Sequence, residues 1–223
     1  LLKFDADGHL LLRIGRKGAF AAADDPSMLA RPTDIFVDTE RREVLVSDGY
    51  HNKRVIVFDS ETGAFKRQWT AFGRPVGALA GYVTMTSKGA DALDRFTVVH
   101  CITMIGEEVF VCDRTNSRIQ VFTPEGAYLR EFFVNREFGG TAGTAWDAAP
   151  VPGHPDRLYV LDGVNSEIVE VDHRTGAVIR ALMSKGRYAG QMHWPHQLAV
   201  DQQGRLYITE VATGMRLQRF IPQ

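Results

Sequence analysis

The stretch TVVHCITMIGEEVFVCDRTNSRIQVFTPEGAYLREF, Thr97 to Phe132, decides how this chain folds. A short strand and a turn lead into the β-rich run EVFVCD, which ends in an acid. A polar turn follows, then the alternating strand RIQVF, then the Gly-bearing turn PEGA and a last strand, YLREF. Apolar residues recur at period two, which places them on one face of a strand; a helix would need them every three or four residues. Turn residues close each short run, so the stretch reads as four antiparallel strands.

Working outward, the same grammar recurs three times. RPTDIFVDTERREVLVSDGYHNKRVIVFDSETGAFKRQW runs from Arg31 to Trp69, TAWDAAPVPGHPDRLYVLDGVNSEIVEVDHRTGAVIRAL from Thr144 to Leu182, and WPHQLAVDQQGRLYITEVATGMRLQRF from Trp194 to Phe220. The acid-ending runs are VLVSD, VFVCD, LYVLD and LYITE, and the opening residues LLKFDADGHLLLRIG fit the third and fourth strands of one more unit. One such unit cannot bury both faces of its sheet, so neighbours must stack around an axis. Four-stranded units repeating every 40–50 residues or so are the signature of a β-propeller. The sequence predicts an all-β chain and a single propeller domain over residues 1–223, with a blade remnant at 1–15 and blades near 31–69, 97–133, 144–182 and 194–223. The insertion from Gly73 to Asp94 reads as a loop over one face of the disc.

Composition agrees. Lys and Arg total 26 against 27 Asp and Glu, a balance that gives no field to attract nucleic acid or an anionic membrane. No run of 18 apolar residues occurs, so no membrane span is expected. The two cysteines, Cys101 and Cys112, are too few for a disulfide scaffold, and spacing alone leaves them paired or free. The chain begins at Leu1 with no signal segment, and reads as processed or cut from something longer.

In propellers the first strand of each blade lines the central channel. Aligning those strands puts Thr33, His100, Trp146 and His196 in one slot, followed by Asp34, Cys101, Asp147 and Gln197. Two histidines in symmetry-related slots face one axial volume, an arrangement suited to zinc, although a catalytic zinc site uses three protein ligands. The plainer alternative is two unrelated strand-end histidines. His9, His154 and His173 fall in turns where exposure is expected, His51 in a turn beside Tyr50, and His193 at a rim. Tyr50 and Arg114 follow the second strands of two blades, on the face where propeller sites gather. A tyrosine there can serve as a general base and an arginine can hold a carboxylate. The alternatives are rim packing and an inter-blade ion pair.

At these residues the chain resembles the NHL-repeat propellers, and within them the peptidyl-α-hydroxyglycine α-amidating lyases. The motifs that carry the resemblance are PTDIFVD…VSDGYHNKRVIVF, HCITMI…VCDRTNSRIQVF and WPHQLAVD…LYITE. The resemblance implies a six-bladed propeller that cleaves a peptide ending in α-hydroxyglycine to a peptide amide and glyoxylate. It implies a zinc held by three channel histidines, of which His100 and His196 match two; Tyr50 matches the proposed base and Arg114 an active-site arginine. The family's first zinc histidine and a second arginine fall upstream of Leu1, so the resemblance implies a propeller incomplete at its N-terminus. An acid linked to structural calcium in the family is Gln197 here, a methionine is Trp194, and the disulfide positions are Ala30, His51, Phe110 and Val121. Zinc is therefore the expected cofactor and calcium a weaker expectation. The family's habit implies a secreted or periplasmic protein.

Three functions follow as expectations. The first is a zinc-dependent lyase acting on a small peptide substrate. The second is a non-catalytic propeller that binds a peptide or protein partner on a disc face. The third is a calcium-bearing hydrolase or lactonase, which has thin support in Asp34 and Asp147.

Overall fold

A computed structural model describes residues 1–19, 22–77 and 93–221. The expected loop at Gly73 to Asp94 thus lies largely outside the described residues. Leu2–Phe4 (β1) and Leu10–Arg13 (β2) form a two-stranded antiparallel sheet. Asp34–Asp38 (β3), Glu43–Asp48 (β4), Arg54–Asp59 (β5) and Phe65–Trp69 (β6) make the first complete blade. Val99–Ile105 (β7), Glu108–Asp113 (β8), Arg118–Phe122 (β9) and Tyr128–Phe133 (β10) make the second. The third contains Ala145–Val151 (β11), His154–Asp162 (β12), Glu167–Asp172 (β13) and Val178–Leu182 (β14). Pro195–Val200 (β15), Leu206–Glu210 (β16) and Leu217–Phe220 (β17) form a three-stranded fourth. Every sheet is antiparallel and ordered as in sequence, and the inner strands β3, β7, β11 and β15 are successive neighbours. These are the blades of a β-propeller.

The central strands of the first three blades are largely buried because each of these blades is covered on both faces. β4 and β9 read as continuous buried runs, as expected for sheet sandwiched between layers. Leu45, Val57 and Trp69 of the first blade pack against Ile102, Val109 and Phe122 of the second. Phe110, Ile119 and Val121 meet Leu158, Val160 and Val171 of the third, and Leu161 and Ile168 meet Leu198 and Ile208 of the fourth. Leu12 of the two-stranded sheet and Ile14 just beyond it lie on Val44, Val46 and Phe58. Each such side chain stabilises the fold by about 1.5–3 kcal/mol through burial.

The acid that ends each second strand is the hub of a buried polar knot. Asp48 accepts from Arg54, Asn52 and the Ala30 N–H; Asp113 accepts from Arg118, Asn116 and the Thr97 N–H. Asp48, Arg54, Asp113 and Arg118 have fully buried side chains. Glu210 repeats the pairing with Arg216 at 2.7 Å. The third blade departs: Glu167 stands where the others have arginine, and Asn135 Nδ2 bridges it to Asp162. The Gly-bearing turns are equally specific. Gly126 has φ of +92°, and a Cβ there would come within 2.7 Å of the Trp69 ring.

Two expectations are resolved here. Cys101 and Cys112 are disulfide-bonded between directly opposed positions of β7 and β8, with Cα atoms 4.9 Å apart. His173 is not exposed but buried, because its ring packs edge-on against Phe110 at 5.1 Å and its Nε2 meets the Pro155 carbonyl. His9 and His154 are exposed. No helix among the described residues is long and apolar enough to cross a membrane.

Candidate functional site

Three inner strands carry a β-bulge at the slot position. Val99 and Cys101 pair with Asp113 and Cys112, which leaves His100 between them without a partner. Ala145 and Asp147 flank Trp146 in the same way, and Pro195 and Gln197 flank His196. A bulge re-aims one side chain without breaking the rest of the ladder. The repeated bulge brings His100, Trp146 and His196 together: ring centroids are 4.8 Å apart for His100 and His196, 5.3 Å for Trp146 and His196, and 5.9 Å for His100 and Trp146.

Tyr50 and Arg114 reach the same point from the turns after β4 and β8. The Tyr50 hydroxyl lies 3.1 Å from His100 Nε2, and Arg114 Nη1 donates to that hydroxyl at 3.2 Å. His100 Nδ1 lies 2.5 Å from the Trp146 carbonyl, which can only accept. Nδ1 therefore carries the proton and Nε2 offers its lone pair to the Tyr50 O–H or to a metal. Burial, and then the Arg114 charge, push the His100 pKa down to about 3, against the opposing pull of the Trp146 carbonyl. Burial followed by Arg114 also lowers that of His196. Both rings are neutral at pH 7, the form that binds metals.

Arg114 is stacked between aromatic rings, its Cζ 4.8 Å from the Trp146 centroid and 5.5 Å from that of Tyr50. Its Nε is buried with no hydrogen-bond partner, and no carboxylate among the described residues lies within ion-pair distance. The inter-blade ion pair considered for it is absent among the described residues. A buried guanidinium without a counter-charge is a ready receptor for a ligand anion.

The four residues singled out in the sequence, Tyr50, His100, Arg114 and His196, thus share one cluster. Among the described residues no third histidine, cysteine or carboxylate joins the two histidines as a compact ligand group; the trio Asp5, Asp7 and His9 lies on the exposed β1–β2 turn. The sequence reading gave no role to three contributors, one of them the slot residue Trp146. Trp146 supplies both the carbonyl that fixes the His100 tautomer and the ring under Arg114. Lys53, whose pKa burial pushes down to about 8, donates to the Gly49 and Tyr50 carbonyls and braces the Tyr50 turn. Gly49 lets that turn lie against β7, since a Cβ there would sit 1.6 Å from the Val99 carbonyl oxygen.

Asp34 and Asp147 follow the slots of alternate blades. Asp34 accepts from the Ile35 and Ile102 N–H groups, and Asp147 from those of Ala148 and Leu198. Each carboxylate so reaches into the next blade. Burial, then the charge of Asp34, push the Asp147 pKa up to about 8, and burial raises that of Asp34. Carboxylates turned to peptide N–H groups serve as clamps between blades; a calcium ion needs six to eight oxygen ligands.

Comparison with known proteins finds relatives at low identity. No family model matches the chain. It is 27% identical over 206 residues to peptidyl-glycine alpha-amidating monooxygenase B of Xenopus laevis, covering 89% of this chain and 21% of that protein. Over 219 residues it is 23% identical to a Caenorhabditis elegans protein named "Probable peptidyl-alpha-hydroxyglycine alpha-amidating lyase", covering 97% and 56%. The chain resembles the amidating lyases. It spans about a fifth of the length of the Xenopus protein and about half that of the nematode one. A solved protein of unknown function from Bacteroides caccae overlays at a TM-score of 0.56 with 15% identity, over 91% of this chain and 61% of that one, which speaks to fold alone.

Proposed function

We propose that this propeller is a zinc-dependent lyase-like protein that converts peptides ending in α-hydroxyglycine to a peptide amide and glyoxylate. The observation that carries the reading is the Tyr50 hydroxyl held between His100 Nε2 and Arg114, with His196 alongside. Two neutral imidazoles, one with its Nε2 lone pair fixed by the Trp146 carbonyl, fit two positions of a zinc ion. Zinc bound there would act as a Lewis acid on the substrate hydroxyl.

The chain's own residues account for the remaining steps. Arg114 receives the carboxylate of the α-hydroxyglycine. Tyr50 gives its hydroxyl proton to the departing amide nitrogen and takes the proton of the substrate hydroxyl as the C=O bond of glyoxylate forms and the C–N bond breaks, so the net change is one proton moved from oxygen to nitrogen. The Cys101–Cys112 disulfide supports export to an oxidising compartment.

The test is zinc stoichiometry by elemental analysis on metal-free protein reloaded with zinc, beside a His100→Ala, His196→Ala double variant, followed by an assay of glyoxylate release. Near-stoichiometric zinc lost in the double variant, with glyoxylate formed by the wild type, is expected. Absence of both would leave a non-catalytic propeller that binds a peptide or protein partner.

A further inference from the structure

We propose that Trp194 and Trp146 form an aromatic subsite that receives the side chain of the residue preceding the α-hydroxyglycine, so that the site selects peptides with an aromatic or large apolar residue there. The proposal rests on the lyase reading for the identity of the ligand and on separate geometry for the subsite. Trp194 precedes His196 by two residues and remains 40% exposed, an uncommon position for an indole that could have been packed away. Its backbone is left-handed, with φ of 55°. That conformation is unfavourable for a bulky side chain and persists where the surroundings enforce it.

The ring has a defined neighbour. Trp194 lies 6.3 Å from Trp146 at an interplanar angle of 38°, and Trp146 meets Arg114 at 4.8 Å and the His196 ring at 5.3 Å. Trp146 is locked in place: its Nε1 donates to the Gly143 carbonyl at 2.7 Å, and a Cβ on Gly163 would come within 2.2 Å of its ring. The result is a continuous strip running from a guanidinium with no ion-pair partner among the described residues, past the imidazole of His196, to an exposed indole. Successive Cα atoms of a peptide are about 3.8 Å apart. A ligand whose terminal carboxylate sits on Arg114 therefore brings its preceding side chain to the tryptophan end of the strip. Aromatic side chains gain most from such a wall, through buried area and offset ring contact.

The experiment is calorimetric titration of the protein with two unreactive C-terminal carboxylates lacking the hydroxyl, N-acetyl-Phe-Gly and N-acetyl-Ala-Gly. The Phe ligand is expected to bind about tenfold tighter or more. In Trp194→Ala that preference should shrink to under about twofold, and Trp194→Phe should restore most of it. Equal affinities in the wild type, no binding of either ligand at millimolar concentration, or an equal weakening of both in Trp194→Ala would overturn the proposal. The lyase reading fails separately: a protein that keeps the selectivity but releases no glyoxylate loses the reaction and retains the subsite.

Discussion

Asp113→Asn tests whether the buried polar knots hold the blades. Asp113 Oδ1 accepts from the Thr97 N–H and hydroxyl; Oδ2 accepts from Asn116 Nδ2 at 2.7 Å and from Arg118 Nε at 2.8 Å. Arg118 Nη2 also lies 2.8 Å from Oδ2, and both side chains are fully buried. In the asparagine variant an NH2 group takes the place of Oδ2 and points at three donors. The Arg118 charge retains Glu131 at 3.0 Å and the Leu93 and Arg95 carbonyls, so it is weakened rather than orphaned. Removing one partner of a buried pair destabilises by about 3–5 kcal/mol, which in a chain of this size lowers Tm by roughly 6–20 °C. Asp48→Asn should behave alike because Arg54 and Asn52 repeat the geometry. Urea unfolding at pH 7 measures both. A loss below about 1 kcal/mol in either variant would refute the assignment of the knots as structural.

Glu167→Arg would complete the knot of the third blade, where burial and Asp162 raise the Glu167 pKa; the variant should gain about 1 kcal/mol, read as a Tm increase of about 2–4 °C. The buried neutral His100 has a folded pKa near 3, below its unfolded value of 6.5. Stability therefore falls as pH drops through that window, by up to about 1.4 kcal/mol per pH unit. Asp147 works oppositely: its pKa is raised from 3.8 to about 8, so its contribution weakens as pH rises between those values. Comparing the wild type with His100→Gln by urea unfolding from pH 4 to 7 isolates the histidine, and identical slopes would exclude it as an acid-sensitive group. Tyr50→Phe should lower glyoxylate release by about 10²–10⁴ with little change in Tm, and a loss of less than about tenfold would remove Tyr50 from proton transfer.

The blades were legible because each repeats one alternation and one set of turns, and the slot followed from overlaying the repeats. What stayed hidden depends on register. Nothing in the composition of VVHCIT, GTAWDAA or WPHQLAV announces a bulge, yet the bulge turns His100, Trp146 and His196 toward one another. The pairing of Cys101 with Cys112 likewise required knowing that β7 and β8 set them opposite each other. His173 looked like a turn residue, and its burial comes from Phe110 in the neighbouring blade. Trp146 attracted no role because its contribution to His100 passes through a backbone carbonyl.

The position after each slot residue completes the logic of the site. Asp34 grips the Ile102 N–H, two residues beyond His100, and Asp147 grips the Leu198 N–H, two residues beyond His196. Each histidine-bearing strand is thus pinned near its histidine by a carboxylate from the blade before it. In the second blade the equivalent position is Cys101, whose disulfide ties the His100 strand to the one that leads into Asp113 and Arg114. The slot residues His100, Trp146 and His196 meet at the candidate site, while the successors Asp34, Cys101 and Asp147 brace the strands that carry it. The distances that matter for a two-imidazole site are then set by contacts between blades, each made within a hydrogen bond or a disulfide of the residue it positions.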